Sequence, residues 1–452
     1  MTEISPSSTN ADDHLPENAF RELEPGERYV PVVPAGKLVP EVTVRSIVQG
    51  VLWSIVFSAA ATYLALKLGQ GIESAIPISI LAVGFSALIV HTLHARASTL
   101  LENVNILAIG ATSGIVAGGS VFTMPAIFIL GLEGRSSFFQ IFLVPLLGAL
   151  LGVFFLAPFR RYFVRDLHGK LPYPEARATT EILMAGKRGG RSAFVLSYSA
   201  ALAAVFDFVG PSMRGWAENF STGAIGALQT FTDKYKAVFT LNTSAAVLGL
   251  GYIMGLDYAS IIMAGSMVSF FVLVPLFAYF GEFIQGPITE GMPALSMMPA
   301  EDIFFEYVRP IGIGGIFAAG IISILKMSPI IVQASRQAFG EIARLVRGGG
   351  QQTTEERTDQ ALPMSFNLMG IAATGLAVFL YFRFSVLVGN EKATAIALAA
   401  TLLALVIAFL FAAVSAWAIA MISITPISGM TLTTLIVTAV ALSAMGLSGE
   451  DG

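Results

Sequence analysis

The sequence predicts an all-α, polytopic transmembrane helical bundle of about eleven spans with broken or re-entrant segments, and three observations predict it. Of 452 residues, 55% are apolar and only 12% are Asp, Glu, Lys or Arg, about half the roughly 25% charged share of an ordinary soluble domain. Mean hydropathy is +0.75. From Ser46 onward, apolar stretches long enough to cross a hydrocarbon core of about 30 Å follow one another with short gaps. With 26 basic and 30 acidic side chains, lipid must do much of the coating. A net charge of -4 gives no basic field for nucleic acid, and the lack of cysteine excludes disulfides, thiolate metal sites and a Cys nucleophile.

Residues 1–45 are polar, Pro-punctuated and rich in glutamate (Glu17, Glu22, Glu24, Glu27, Glu41), without the apolar core or cleavage site of a signal peptide. They read as a cytoplasmic tail. Spans are expected at 46–68, 75–94, 105–131, 137–159, 193–213, 237–255, 258–281, 309–327, 365–387, 393–420 and 427–446. The loop after the fourth span, within 160–192, carries Arg160, Arg161, Arg165, Lys170, Arg177, Lys187, Arg188 and Arg191. Segment 328–364 adds Arg336, Arg344, Arg347 and Arg357. Positive loops stay inside, so both are expected to be cytoplasmic. The stretch Glu282 to Val308 carries Glu282, Glu290, Glu301, Asp302 and Glu306 with no Lys or Arg, as an outer loop should. Counting back puts the N-terminus in the cytoplasm and Ser448 to Gly452 outside. Residues 329–347 fit either an amphipathic interfacial helix or an extension of the eighth span. The expected organisation is a first eight-span half at 46–347, a cytoplasmic linker at 348–364 and a partial second half at 365–452.

The third span repeats glycine every four residues, at Gly110, Gly114 and Gly118, before Gly119, Ser120, Thr123 and Pro125. Two readings stand side by side: close helix packing through small residues, or a broken segment lining a cavity, where freed backbone groups are tolerated. The eleventh span shares this small, hydroxylated character through Thr425, Pro426, Ser428, Gly429, Thr431 and Thr433. Asp207 stands alone in AALAAVFDFVGPS, either as a proton-accepting carboxylate or as a hydrogen-bonded structural acid. Glu102 and Asn103 open the third span, to cap it or to face substrate. Lys67, Glu73, Asp257, Lys326 and Arg383 lie near span ends, where snorkelling suffices. His91 and His94 share a helix face but lack a third ligand, so no metal site and no cofactor are expected. The HExxH, GxxxxGK[ST] and GxSxG signatures are absent.

Motifs in order along almost the whole chain carry a resemblance. They are ENAFRELEPGERYVP from Glu17, EVTVRSIVQG, the Tyr63-containing first span, IP at 76–77, LLENVN at 100–105, GGSVFTMPA at 118–126, APFRRYFVRDLHGKLPYPEARATTEILMAG at 157–186, GYIMGLDYASIIMAG at 251–265, YVRPIGIGGIFAAG at 307–320 and ISGMTLTTLIVTA at 427–439. Together they resemble the oligopeptide transporter family, in its bacterial and yellow stripe-like branch. The resemblance implies secondary active, proton-coupled import of oligopeptides or peptide-like metal chelates by a protein integral to the bacterial inner membrane. Family members typically read Glu-Asn-Asn with a Gln-containing stretch where this chain has Glu102-Asn103-Val104-Asn105, and Pro-Glu-Gly where it has Pro174-Glu175-Ala176. They also continue to about sixteen spans in two halves, so the chain resembles the first two-thirds of such a transporter. A homo-oligomer or a completing partner chain is therefore expected. Substrate binding is assigned to Glu102, Asn103, Asn105, Ser120, Thr123, Ser428, Gly429 and Thr431, and proton coupling to Asp207. LPYPE at 171–175 is a gating element or a rigid two-proline turn. The alternatives are a membrane-embedded enzyme, or a transport-incompetent subunit or fragment that needs a partner chain.

Overall fold

A computed structural model describes residues 15–68, 74–94, 96–185, 191–284, 286–288, 292–346, 357–422 and 427–447. Its helices are α1 Val44–Leu68, α2 Ala75–Leu93, α3 Leu100–Val121, α4 Pro125–Ile129, α5 Phe138–Leu156, α6 Pro174–Ala185, α7 Arg191–Asp207, α8 Gly226–Tyr235, α9 Ala245–Val268, α10 Val274–Gly281, α11 Ala300–Ile303, α12 Arg309–Val346, α13 Met364–Tyr381, α14 Ala393–Ile422 and α15 Ile427–Ala444. Two short strands, β1 Asn219–Ser221 and β2 Thr240–Asn242, pair antiparallel with Phe220 opposite Leu241. Among the described residues, eight helical segments are long and apolar enough to cross a membrane, and 201–210 and 429–444 are shorter apolar helices. The chain is a polytopic helical bundle, as its composition requires: in lipid, helices satisfy their own backbone groups.

The helices form two compact units. One comprises residues 1–193 with 319–452, the other 194–318. In the first, α3 lies between α1 and α2, and α5 packs on α13 and α14. The glycine repeat explains the tight α3 contacts. A Cβ on Gly110 would sit 2.9 Å from the fully buried Ile78 of α2, and one on Gly50 of α1 would sit 2.8 Å from Ile109. Gly110, Gly114, Ala117 and Gly118 are all buried, which is the small-residue packing reading. No wide break accompanies it: the backbone stays right-handed and hydrogen-bonded through 122–124, within one run from Leu100 to Ile129. α3 stops at Val121, residues 122–124 turn, and Pro125 restarts the chain at the first position of α4, where a missing N–H costs nothing.

At one boundary the structure differs from expectation, and at a second it takes one of the two readings given above. The sequence divides 237–281 into two spans, whereas the structure forms β2 and then one helical run from Ala245 through a π-turn at Ser269–Leu273 to Gly281. Gly255 and Asp257 interrupt the apolar run, but neither carries a stop signal as strong as proline. The second concerns 329–347. Residues 329–346 continue α12, which runs for 38 residues with Pro329 inside it, well beyond the roughly 20 that cross a bilayer. The expected linker 348–364 is described only from Arg357.

The second unit surrounds Val274, Leu295, Ile303 and Val308, with the rings of Phe270 and Phe304 stacked at 4.7 Å. The expected outer-loop acids Glu282, Glu301, Asp302 and Glu306 belong to it.

From Leu15 onward, the polar N-terminal segment is held rather than loose. Glu27 accepts two bonds from the Arg21 guanidinium, both 2.8 Å, one from Asn18 at 3.1 Å and one from the Glu24 N–H at 2.9 Å. These donors hold its carboxyl down to about 2, from an ordinary 4.5. The coil they close docks on the 166–177 loop. The His168 ring pairs with the Asn18 carbonyl at 2.8 Å, the Arg177 guanidinium lies 3.8 Å over Phe20, and Gly169, at φ +73°, abuts the Arg21 backbone so closely that no Cβ fits. Farther on, Arg357 pairs with Glu41 and donates to the Lys37 carbonyl at 3.2 Å.

Two outcomes follow. Gly50→Val forces Ile109 aside and is expected to cost about 1–3 kcal/mol by overpacking, read as a lowered unfolding midpoint in detergent. The Glu27 contribution is complete above pH 4.5 and is lost as pH falls toward 2. A spin label on Pro25→Cys, in this cysteine-free chain, is therefore expected to mobilise over that window, and Glu27→Gln to abolish the pH dependence.

Candidate functional site

Ser98-Thr99-Leu100-Leu101-Glu102 contains the Thr-x-x-Glu pattern of a capping box, and the helix start forms accordingly. Thr99 Oγ1 accepts from the Glu102 N–H at 3.0 Å, and the Thr99 N–H donates to Glu102 Oε2 at 2.9 Å. The Arg96 guanidinium adds two parallel bonds of 2.8 Å, one to each carboxylate oxygen, and the Thr43 hydroxyl donates to Oε1 at 2.7 Å. Glu102 is 1% exposed. Four donors fill the approximately four acceptor positions of a carboxylate, at the helix end where negative charge is favoured. The node extends outward: Thr99 donates to the Pro40 carbonyl at 2.6 Å, and Asn105 donates to Ser46 Oγ at 2.9 Å. Glu102 and Asn105 thus tie the start of α1 to the start of α3.

Asn103 differs. It is 7% exposed, and its Oδ1 has no hydrogen-bond partner, an uncommon state for a buried polar atom. It lines a cavity of about 730 Å³ enclosed by the N-terminal segment, the end of α2, the start of α3 and Leu183 of α6. Lys37, His91 and His94 also line it. No group of three or more His, Asp or Glu placed to hold a metal occurs among the described residues.

The remaining expected residues do not converge on this point. Ser120 Oγ donates to the Val116 carbonyl at 2.9 Å, and Thr123 Oγ1 to the Ser120 carbonyl at 3.3 Å. Ser120 lies about 27 Å along α3 from Glu102. In α15, Gly429 is buried where the helix passes Gly320 of α12; a Cβ on Gly320 would meet the Gly429 carbonyl at 3.1 Å. Thr431 is half-buried. The side chain of Ser428, and all of Thr425 and Pro426, lie outside the described residues. Asp207, in the second unit, accepts from the Ser244 hydroxyl at 3.1 Å and from the Ala245 N–H at 2.8 Å, and so caps α9 from 38 residues away. The LPYPE turn packs on α14: the Tyr173 N–H donates to the Ala420 carbonyl at 2.8 Å and its hydroxyl to the Phe163 carbonyl at 3.0 Å, holding Tyr173 at φ +43°. Three polar residues of α1, namely Arg45, Gln49 and Trp53, also carry unpartnered buried atoms. Their spacing of four is the one signal the sequence offers for them.

Stability separates these roles. Glu102→Gln turns an amide donor toward Arg96 or the Thr99 N–H and is expected to cost about 2 kcal/mol, seen as a lower unfolding midpoint. Asn103→Ala removes an acceptor that has no partner, and the same measurement is expected to move by less than about 1 kcal/mol.

Comparison with known proteins agrees with this architecture. The profile described as OPT oligopeptide transporter protein matches residues 41–447. A Haemophilus influenzae protein named "Putative oligopeptide transporter" is 29% identical over 395 residues, covering 85% of this chain. The chain spans 58% of that relative's length. No solved structure matches. Since the family profile runs from Glu41, just before α1, to the end of α15, the chain belongs to the OPT oligopeptide transporter family.

Proposed function

We propose that this chain acts as a secondary active transporter, a proton-coupled symporter that imports oligopeptides or peptide-like metal chelates across the bacterial inner membrane. The observation that carries the reading is the family profile matched across 41–447 of a polytopic bundle. Two features support it. The third span tightens into turns at 122–124 before Pro125, and irregular stretches of helix are where transporters place binding groups. The N-terminal segment meets both the 166–177 loop and Arg357, so the segments that sequence assigns to the cytoplasm share one face. In this reading Glu102, Asn103, Asn105, Ser120, Thr123, Ser428, Gly429 and Thr431 remain the proposed substrate-binding residues, and because Asn103 and Ser120 lie about 26 Å apart along α3 they meet substrate at different points of its path.

Asp207 is the proposed coupling site. Its carboxylate is held by the Ser244 hydroxyl and the first N–H of α9.

Proteoliposome uptake of a labelled tripeptide tests the reading. Saturable accumulation is expected only with an inwardly directed proton gradient, and gradient-independent, non-saturating flux would overturn it. Asp207→Asn keeps an acceptor for Ala245 and is expected to abolish accumulation while sparing counterflow exchange. Unchanged accumulation in that variant would reduce Asp207 to a helix cap.

A further inference from the structure

The first span carries a polar stripe that the Glu102 node does not use. Arg45, Gln49 and Trp53 recur every four residues and so share one face of α1. Trp53 meets Phe85 of α2 edge-on at 6.0 Å, which turns this face toward α2, whereas Gly50 meets Ile109 of α3. Arg45 Nη1 donates to the Arg96 carbonyl at 2.7 Å, but its Nε and Nη2 are buried without partners. Gln49 is 4% exposed, with both carboxamide atoms unpartnered, and Trp53 Nε1 is likewise buried and unpartnered. Five unsatisfied polar atoms on one helix face contradict the rule that buried polar groups are paired. They do so at the end of a membrane span, where an uncompensated guanidinium is costly.

The donor set specifies a ligand. Nε and Nη2 form one edge of the guanidinium and present two parallel N–H bonds, the fork that grips a carboxylate. The nearby Glu102 cannot supply that carboxylate, because Arg96, Thr43 and Thr99 occupy it. Gln49, about 6 Å farther along the axis, offers one donor and one acceptor, and Trp53, about 12 Å along, offers one donor. An extended peptide advances about 3.3 Å per residue. A carboxylate on Arg45 therefore brings a peptide group to Gln49 about two residues upstream, and a carbonyl to Trp53 about four upstream.

We propose that the Arg45–Gln49–Trp53 face of α1 is a recognition site for short peptides bearing a free C-terminal carboxylate, with Arg45 gripping the carboxylate and Gln49 and Trp53 reading the backbone behind it. The proposal rests on the peptide-transport reading above and adds the chemical feature by which substrate is selected. Side chains of the peptide play no part in these contacts, so the site selects for terminus and length rather than sequence.

Equilibrium binding of labelled pentaalanine, long enough to reach from Arg45 to Trp53, and of its C-terminal amide to the solubilised full chain tests this. The free acid is expected to bind at least about tenfold tighter, the worth of one charge-assisted fork. Arg45→Gln erases that difference and Arg45→Lys retains only part of it. Gln49→Leu, which leaves the fork intact, weakens acid and amide alike. Equal affinity for acid and amide in the unaltered protein, a preference that survives Arg45→Gln, or no binding of either peptide overturns the proposal. If Arg45→Gln does not fold, the acid–amide comparison on the unaltered chain and on Arg45→Lys decides. Uptake measured on the same protein keeps the two claims apart: saturable uptake with no acid preference leaves the transporter standing and removes this site, whereas absent uptake removes the transporter and leaves binding to decide on the site.

Discussion

A single carboxylate organises the first three spans. Glu102 is out of water, and a buried charge persists only where partners and hydrogen bonds replace its hydration. Arg96 comes from the turn after α2, Thr99 from the cap of α3 and Thr43 from the residue before α1. Meeting the demand of one group fixes the relative heights of three helices. The glycine seam then allows the contacts those heights require: Gly50 against Ile109 and Gly110 against Ile78 leave no room for a side chain. Charge sets the register, and small residues permit the approach.

The same accounting separates structural from available polar groups. Asp207, Ser120 and Thr123 each have partners inside the chain, as a low-dielectric setting demands. Asn103 Oδ1, the Nε and Nη2 of Arg45, the Gln49 carboxamide and Trp53 Nε1 do not. These four residues lie in the first halves of α1 and α3; other unpartnered buried atoms, such as Tyr307 Oη and Asn367 Oδ1, lie elsewhere.

Much of the fold is legible in the sequence because apolar length is a local property: α1, α2, α5, α13 and α14 begin and end within a few residues of where hydropathy puts them. The cap of α3 is equally local, since Thr99 and Glu102 are three apart. What escapes is carried by distance along the chain. Asp207 finds Ala245 only through the tertiary fold, so a carboxylate in an apolar run cannot announce that it is a cap. Continuity of α9 into α10 turns on how well a helix tolerates Gly255 and Asp257, a small energetic difference that span-finding treats as a break. Arg45, Gln49 and Trp53 hide for the opposite reason: three polar positions spread over nine residues barely lower the mean of an otherwise apolar helix.

The contact between Glu41 and Arg357 joins residues 316 apart. Translation at about 5–20 residues per second separates their emergence by roughly 15–60 s. During that interval α1, α2 and α3 can assemble around Glu102, because every partner of that carboxylate lies within the first 102 residues. The N-terminal segment must wait. Its hold on the 166–177 loop becomes possible midway, and its hold on Arg357 only after α12 has been made. Biogenesis therefore ties the N-terminal segment in two steps, and the contacts of α5 and of the 171–175 turn with α13 and α14 form later still.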